Sequence, residues 1–165
     1  MNRGTGQQEL TALVELAAEG DLGQVLAVEG EGGEIGGRGP FITSAIAEGR
    51  CLVARDDEAV AGFAIHDRSL FGQPFLALLR VRTVDRRRGI GTALVQGVMA
   101  ATEGDRLFSS TNASNVAMRM LLGRLGFVAS GFIENLDPDD PEMIYIKWLG
   151  DAAPKPVPAP VEAPD

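Results

Sequence analysis

Apolar residues recur with two different periods along this chain of 165 residues. Alternation of apolar and polar positions is typical of a strand, whereas apolar positions three and four residues apart are typical of an amphipathic helix. These periods predict strands at 9–17, 51–55, 60–67, 75–84, 106–110, 127–135 and 142–149, and helices at 21–29, 41–48, 90–102 and 115–125. The order β-α-α-β-β-β-α-β-α-β-β predicts one α/β (α+β) domain, a mixed sheet with helices on its faces.

Individual residues support some of these boundaries. Asp21 and Ser114 are predicted helix N-caps, and Gly126 is a predicted helix end. Segment 9–17 alternates as a strand does, but its alanine and glutamate content also permits a helix. Residues 30–39 are rich in glycine, and this loop is either a substrate lid or a simple connector.

The charge balance narrows the class of partner. The chain carries a formal net charge of −8, which disfavours nucleic-acid binding because that function needs a basic face. An acidic surface instead suits a cationic or amine substrate. No stretch approaches the roughly 18 apolar residues that span a bilayer, and the N-terminus lacks a signal-peptide pattern. We therefore expect a cytoplasmic protein with no membrane partner and no bound metal.

Cysteine and proline usage bound the domain organisation. The single cysteine, Cys51, cannot form an internal disulfide, and such residues are usually small core hydrophobes rather than catalytic thiols. From 151 to 165 proline alternates with small residues, a composition that does not pack. The chain is predicted to comprise one domain, 1–150, and a disordered tail, 151–165. A docking role for the tail as a polyproline ligand is the alternative.

A basic, glycine-bearing turn lies between the strand 75–84 and the helix that begins near residue 90. Its sequence is Arg86-Arg87-Arg88-Gly89-Ile90-Gly91-Thr92. Glycines let a ligand approach the backbone, and a helix N-terminus presents unpaired N–H groups to an anion. A P-loop would need a Gly-Lys-Ser/Thr ending, and a dinucleotide fingerprint would need glycine where Leu94 stands. The turn therefore predicts a different phosphate cradle, with a solvated basic turn as the alternative.

The turn and a second motif about 25 residues downstream together resemble motifs of the GCN5-related N-acetyltransferase (GNAT) superfamily. The resemblance covers residues 9–149. The first is Arg86, Gly89 and Gly91 as Arg-x-x-Gly-x-Gly, and the second is Asn115 followed by Met118, Leu121, Leu122 and then Gly126-Phe127. Segments 109–115, 133–137 and 140–142 are further similar to a bacterial subgroup of that family. The resemblance implies a mostly antiparallel sheet that splays between its two central parallel strands, and acetyl-CoA as co-substrate.

The resemblance also implies which residues bind the co-substrate. They are Leu79, Val81 and Thr83 along the pantetheine arm, Arg86, Arg87, Arg88, Gly89, Ile90, Gly91 and Thr92 around the diphosphate, and Asn115. The strand positions would pair with the arm through their backbone groups. Arg86 is expected to contribute charge or turn stability. Asn115 is either a side-chain contact to the co-substrate or a simple helix-start residue.

The chain departs from the family at the groups that move protons. Leu122 stands where members often carry a tyrosine that protonates the leaving thiolate, and Ala77 stands where some carry a glutamate base. Tyr145, the only tyrosine, is the candidate acid, although packing in the sheet would also explain it. The candidate bases are Glu134, preferred for its position after the second motif, and His66 or Asp67. A water chain could also be ordered by Ser110, Thr111 and Asn112.

These residues support two hypotheses from different classes. The first is an N-acetyltransferase that moves an acetyl group from acetyl-CoA to a primary amine of a small molecule or peptide by direct attack. The second is an acyl-CoA-binding regulatory module without turnover, which Leu122 and Ala77 favour. Members of this family often dimerise through late strands, so a homodimer and a monomer both stay open for this chain.

Overall fold

The computed structural model describes residues 12–31, 33 and 35–151. Its strands are β1 (Leu13–Leu16), β2 (Cys51–Asp56), β3 (Ala59–Leu70), β4 (Gln73–Val81), β5 (Arg106–Asn112), β6 (Val128–Ile133) and β7 (Glu142–Trp148). Its helices are α1 (Leu22–Gly30), α2 (Arg38–Ala47), α3 (Ile90–Ala101) and α4 (Val116–Arg124). The predicted α/β class and element order are confirmed.

All seven strands form one sheet in the order β1-β2-β3-β4-β5-β7-β6. Every neighbouring pair is antiparallel except β4 and β5, which are parallel. A parallel pair needs a crossover connection, and α3 supplies it. On one face of the sheet, α3 and α4 bury a core that includes Leu94, Val98 and Leu122. On the other face, α1 and α2 cover strands β2 to β4.

The central parallel pair separates after two residues because β4 contains a bulge. Ile65 of β3 pairs with Leu78 and His66 pairs with Leu76, so Ala77 has no partner opposite it. The ladder between β4 and β5 consists of Phe75 with Phe108 and Leu76 with Ser109, and it stops there. A bulge bends its strand and disrupts the local ladder. The predicted splay is confirmed, and we call the gap beyond Leu76 the slit.

The segment 68–74, which separates the predicted strands 60–67 and 75–84, is not a loop, because β3 and β4 form one long hairpin through most of it. Leu70 pairs with Gln73 across a two-residue turn in which Phe71 (φ 50°) and Gly72 (φ 74°) both have positive φ. That conformation is a type I′ turn, which suits the twist of the flanking strands. Phenylalanine is rarely found with positive φ, so its presence hid the turn.

Two further predicted boundaries differ from the structure. The strand expected to reach residue 84 ends at Val81 and is followed by a 3₁₀ turn, Thr83–Asp85. The second helix begins at Arg38 rather than at residue 41. Pro40 is tolerated there because the N–H groups of a first helical turn have no intrahelical acceptor. Proline and the neighbouring glycines had masked this helix start.

The predicted N-cap Ser114 is wrong, whereas Asp21 stands at the predicted N-cap position of α1 but makes no capping bond with its side chain. The Ser114 side chain does not cap α4, because the N–H and Oγ of Ser114 bind the Asp140 carboxylate at 2.9 Å and 2.6 Å. Asn115 is the cap, since its Oδ1 accepts the N–H of Met118 at 3.2 Å. Asp21 makes no capping bond to α1 and instead accepts the Ala18 N–H at 2.8 Å. A competing partner decided each case. The partner of Ser114 lies 26 residues away and is not visible in local sequence, whereas the Ala18 N–H lies three residues before Asp21.

Several expectations concern residues beyond the described ranges. The predicted tail, from residue 152 to 165, lies outside them, as do residues 9–11 of the first predicted strand and positions 32 and 34 of the glycine-rich loop. The part of that strand that the structure does describe is β1, so the strand alternative is confirmed there over the helix. Within the described ranges, no helix combines the length and hydropathy needed to cross a membrane.

Cys51 lies in the core between the sheet and α1–α2, with none of its surface exposed. Burial, with a smaller contribution from Asp21, raises the pKa of its thiol to about 12. The thiolate is the nucleophilic form, and it is suppressed at neutral pH. The expectation of a structural cysteine is confirmed.

Asp21→Asn is expected to remove an acid-sensitive part of the stability. Burial alone would raise the pKa of Asp21, but the Ala18 N–H and the guanidinium of Arg55 (2.9 Å) outweigh it and lower that pKa. A depressed pKa stabilises the fold above the unfolded value of about 3.9, and that stability is lost as pH falls through the folded value. We expect a loss of about 1–3 kcal/mol at pH 7, measured by urea unfolding.

The pH dependence distinguishes this charge effect from a packing defect. The difference in unfolding free energy between parent and Asp21→Asn should shrink as the pH is lowered toward about 3, below the ordinary pKa of a carboxyl. A difference that stays constant over this range would contradict the expectation. Asp67→Asn is the control, since the Asp67 carboxylate accepts from neighbouring Ser69 in an exposed contact.

Candidate active site

The helix α3 begins beside the slit with an uncapped N-terminus. Gly89 occupies the cap position and has no side chain to satisfy the first turn. The first intrahelical bond is donated by Ala93 to the Gly89 carbonyl at 2.9 Å, so the N–H groups of Ile90, Gly91 and Thr92 lack acceptors within the helix. Together with the helix dipole, they form a site suited to an anion.

Backbone conformation explains why glycines stand in this turn. Gly89 has φ 82°, which residues with a Cβ rarely adopt, and Arg87 has φ 63° just before it. Gly91 is required for space instead: a Cβ there would lie 3.3 Å from Cδ2 of Leu121 and 3.8 Å from Cγ2 of Val81. The turn therefore folds tightly against β4 and α4 while its outer surface stays open.

A buried carboxylate holds the turn in place. Asp85 is 2% exposed and accepts Arg82 Nε at 2.5 Å and Arg88 from the other side. Arg88 also binds Asp56 Oδ2 at 2.9 Å, at the β2–β3 turn. The side chain of Arg88 is thus engaged in ion pairs with two carboxylates. The exposed side chains of Arg86 and Arg87 supply the positive charge around the cradle.

Beyond Leu76, one edge of β4 is unpaired, and every second residue directs its backbone N–H and C=O groups from this edge into the slit. The N–H of Arg82 donates to Ala61 on β3 at 2.8 Å. In an antiparallel pair the bonded positions alternate, so Val81 and Leu79 point their N–H and C=O groups away from β3 and into the slit. The N–H of Thr83 is engaged elsewhere, since it donates to Glu31 Oε2 at 2.7 Å. Of the three predicted strand residues, Leu79 and Val81 present backbone groups to the slit, and the Val81 carbonyl accepts a long hydrogen bond from Arg86 Nε at 3.5 Å.

A hydrogen-bonded chain links α4 to β7 on the α3 face of the sheet. Arg119 donates through Nε to the Tyr145 hydroxyl at 3.2 Å and through another nitrogen to the Ala113 carbonyl at 2.8 Å. Tyr145 is 8% exposed. Because Arg119 donates to the phenol oxygen, the phenol proton is directed to some other acceptor. Asn115 lies one turn before Arg119, and its amide nitrogen is not used by the cap.

The predicted acid and base do not lie together. Leu122, at the position of the family tyrosine, is fully buried in the core below α4. Glu134 is exposed just after the edge strand β6, and β7 separates β6 from β5. Two strand spacings place that edge about 10 Å from β5. Glu134 therefore lies at the same end of the sheet as the slit opening, but not beside it.

The alternative base candidates occupy different places. His66 and Asp67 line a surface cavity of about 490 Å³ at the closed end of the sheet, away from the start of α3. Burial and then the charge of Arg50 lower the pKa of His66. On β5, Thr111 faces the α3 side and is buried, whereas Ser110 and Asn112 face the opposite side. Ser110 therefore places a hydroxyl on the face of the sheet opposite α3, which we call the far side. It lies one residue beyond the last β4–β5 pair.

A second ion cluster forms one wall on that far side. Glu29, at the end of α1, is 5% exposed and accepts Arg38 of α2 at 2.8 Å and Arg80 of β4 at 3.0 Å. Its two arginines pair with the one buried carboxylate, leave an excess of positive charge on this wall, and join both ends of the glycine-rich loop to β4. Opposite this wall, Asn112 donates to Asp137 at 2.7 Å and so fixes the β6–β7 loop to β5.

A family model for the acetyltransferase (GNAT) family matches residues 34–127, more than half of the chain. The chain belongs to the GNAT family. A GNAT-family acetyltransferase from Bacillus cereus ATCC 10987 is 33% identical, with a TM-score of 0.79 over 83% of this chain and 96% of that one. No curated protein sequence matches at a significant level.

Two further solved structures share the GNAT fold at lower identity. The ribosomal-protein-S18-alanine N-acetyltransferase of Escherichia coli is 21% identical, with a TM-score of 0.73 over 86% of this chain and 96% of that one. Arabidopsis thaliana NAA60, solved with a bisubstrate analogue, is 16% identical, with a TM-score of 0.72 over 86% and 100%. At these identities the likeness shows the fold alone.

Sequence patterns missed three parts of this GNAT site. The bulge at Ala77 opens the slit, yet alanine there carries no local signal. The cluster around Glu29 joins residues 51 positions apart, so only folding brings them together. The pairing of Asp85 with Arg82 and Arg88 could have been found, because oppositely charged residues three apart meet within a turn or helix.

Proposed function

We propose that this GNAT domain transfers the acetyl group of acetyl-CoA to a primary amine by direct attack. One observation carries the proposal: an uncapped helix N-terminus lies just after a strand whose outer edge is unpaired, with only the turn 82–89 between them. The helix N-terminus can hold the diphosphate of acetyl-CoA, and the unpaired strand edge can form hydrogen bonds with the amides of its pantetheine arm. A simple solvated basic turn would need neither feature.

The residues present fit the co-substrate. We assign the diphosphate to the backbone N–H groups of 87–92, with Thr92 Oγ as an additional donor. Leu79 and Val81 would bind the pantetheine amides through the free backbone edge of β4. The unused amide nitrogen of Asn115 would donate to the arm from the other side. The Thr83 backbone is left out of this assignment, because Glu31 already accepts its N–H.

Acetyl-CoA supplies a thioester whose carbonyl carbon is the electrophile. Backbone N–H groups of β4 in the slit are placed to stabilise negative charge that develops on the carbonyl oxygen. The amine must reach the slit from the face opposite α3, because the donor occupies the α3 side. On that face Ser110 would order water, and the amine proton would pass through water toward the acidic rim that contains Glu134.

We assign the leaving thiolate's proton to Tyr145. Its hydroxyl lies against the first half of α4. Arg119 Nε donates to a lone pair of the hydroxyl oxygen, so the hydroxyl proton stays available for donation. Leu122 cannot perform this role, and Tyr145 is the only tyrosine in the chain. The proposed donor therefore comes from β7 rather than from α4.

The buried free thiol of Cys51 suits a reducing compartment. We accordingly propose that the reaction takes place in the cytoplasm.

Two measurements on the full chain test the function. Calorimetric titration with acetyl-CoA should show saturable one-to-one binding, and absence of binding would overturn the proposal. Release of free CoA thiol should then be followed with polyamines, amino acids, aminoglycosides and peptides. Tight binding without turnover on any amine would instead support the acyl-CoA-binding regulatory module, which the buried Leu122 favours.

A further inference from the structure

Six apolar side chains form an uncovered surface on the sheet face opposite α3. They project from β5, β7 and β6, and we call them the apolar shelf: Phe108, Val128, Ile133, Ile144, Ile146 and Trp148. Their shared orientation follows from the pairing register. Phe108 lies opposite Ile146, and Ile146 lies opposite Val128, while the alternate residues of each strand face α3 and α4.

The shelf belongs to neither hydrophobic core of the described residues. Helices α1 and α2 cover only β2 to β4, and no described helix lies over β5, β7 and β6 on this face. Val128 is 54% exposed and Ile133 is 41% exposed, and the other four side chains are half-buried. Contiguous exposed apolar surface of this kind marks a binding site more often than scattered single residues do.

The shelf is continuous with the slit on the side that the donor leaves open. Phe108 pairs with the last closed segment of β4, and Ser110 follows it on the same face. The cradle at Gly89 lies at the start of α3, on the opposite face. An acceptor whose amine enters the slit from the open face would therefore rest its remaining atoms on the shelf.

The size of the shelf favours an extended chain over a second copy of the protein. Three strands and about six residues of length give a surface of about 300 Å². A stable dimer buries about 800 Å² on each partner. Crossing from β5 to the outer edge of β6 spans about 10 Å, which is the length of about three extended residues.

The charged residues around the shelf indicate the sign of the charge that a bound molecule should carry. At its slit end stand Glu142 on β7 and the β6–β7 loop, which carries Glu134 and Asp139 in exposed positions. At the other end Arg106 stacks over Trp148 at 4.6 Å and is paired with Asp105 at 2.7 Å. The rim beside β6 and β7 is therefore acidic, and the charge of Arg106 at the other end of the shelf is paired with Asp105. The excess positive charge on this face lies across the slit, where Arg38 and Arg80 share Glu29.

We propose that the acceptor is a primary amine on an extended polypeptide segment whose first two or three side chains beside the amine are apolar and whose net charge is positive. The apolar side chains lie on the shelf and the positive charge faces the acidic rim. This inference rests on the proposed acetyl transfer. It specifies which atoms of the acceptor the protein binds in addition to the reacting amine. That amine is either a chain N-terminus or a lysine side chain.

The test uses the full chain and hexapeptides of equal charge. One peptide carries leucine and valine in the second and third positions, and its partner carries serine and threonine there. Versions with an acetylated N-terminus and an internal lysine separate the two sources of amine. Transfer is followed by thiol release, and binding is followed by the fluorescence of Trp148, the only tryptophan in the chain. The second readout does not require turnover.

We expect the apolar peptide to show about tenfold higher kcat/KM, since one or two apolar contacts discriminate by roughly that factor. Ile144→Ser and the more exposed Val128→Ser should each remove most of this preference and leave the Kd for acetyl-CoA unchanged. Leu16→Ser is the matched control, because Leu16 is 59% exposed on β1 at the far edge of the sheet.

Equal kcat/KM for the two peptides, or a full preference retained in both shelf variants, would overturn the inference while leaving acetyl transfer intact. A dimer in sedimentation velocity that dissociates in Ile144→Ser would also overturn it, because a second copy would then cover the shelf. If acetyl-CoA does not bind, the proposed transfer fails, and the Trp148 titration alone decides whether apolar peptides bind. No change in fluorescence with either peptide would then overturn it.

Discussion

Gly89→Asp is expected to weaken acetyl-CoA binding about ten- to hundredfold relative to Gly89→Asn. Both side chains tolerate the positive φ of 82° at this position better than other residues with a Cβ. Apart from the adjoining residues of the chain, a Cβ added at Gly89 would have no atom within 4 Å, so the first side-chain carbon of either variant has space. They differ only in charge. A carboxylate about 5 Å from the diphosphate costs about 1–3 kcal/mol, depending on the effective dielectric.

Calorimetric titration of the two variants and the parent measures this difference directly. Thermal unfolding of the free proteins serves as the control, and the two variants should unfold within about 2 °C of each other, a shift that corresponds to well under 1 kcal/mol. Gly123→Glu adds a carboxylate to α4 in open space and should leave the Kd for acetyl-CoA unaltered. Equal Kd values for Gly89→Asp and Gly89→Asn would show that the anion does not bind at the start of α3.

Tyr145→Phe is expected to lower kcat about 100-fold with little change in the Kd for acetyl-CoA. Removing a positioned general acid commonly costs two or more orders of magnitude. The phenyl ring keeps the packing of a side chain that is 8% exposed. Only the hydroxyl that Arg119 contacts is lost. Thiol release under saturating acetyl-CoA measures kcat, and calorimetry measures the Kd.

Arg119→Gln separates a proton donor from a structural hydroxyl. If the hydroxyl serves only to hold α4 through Arg119, both variants should lose the same activity and the same thermal stability. If Tyr145 donates the proton, Tyr145→Phe should lose far more activity than Arg119→Gln at similar stability. An unchanged kcat in Tyr145→Phe would exclude Tyr145 and move the proton donor to water in the slit.

The elements of this fold were predictable where one face of a segment is buried and the other is exposed. The α3 helix shows this case, since Ile90, Leu94 and Val98 fall on one face and all three are buried. Strand β5 shows it with period two, because Leu107, Ser109 and Thr111 are buried and their neighbours are less so. Burial on one side imposes a period on the sequence, and the period is readable.

Boundaries were less predictable where a distant partner competes with a local one. Ser114 has the chemistry of an N-cap, but the Asp140 carboxylate, 26 residues away, binds both its N–H and its hydroxyl. The carboxylate of Asp21, at the N-cap position of α1, is likewise occupied by Arg55, 34 residues away, as well as by the Ala18 N–H. Local propensity cannot include a partner that only the folded chain brings near, and a hydrogen bond to a charged group outweighs a neutral cap.

The sequence by itself determined the turn at 86–92 and the helix start within it, because a glycine with positive φ at the cap position and the apolar period that follows are local features. Local backbone preferences and helix ends need no other part of the chain. Only the tertiary structure decided the slit, the apolar shelf and the contact between Arg119 and Tyr145. Each depends on strand register or on strands that are far apart in sequence, and one bulge at Ala77 sets where the central strands separate.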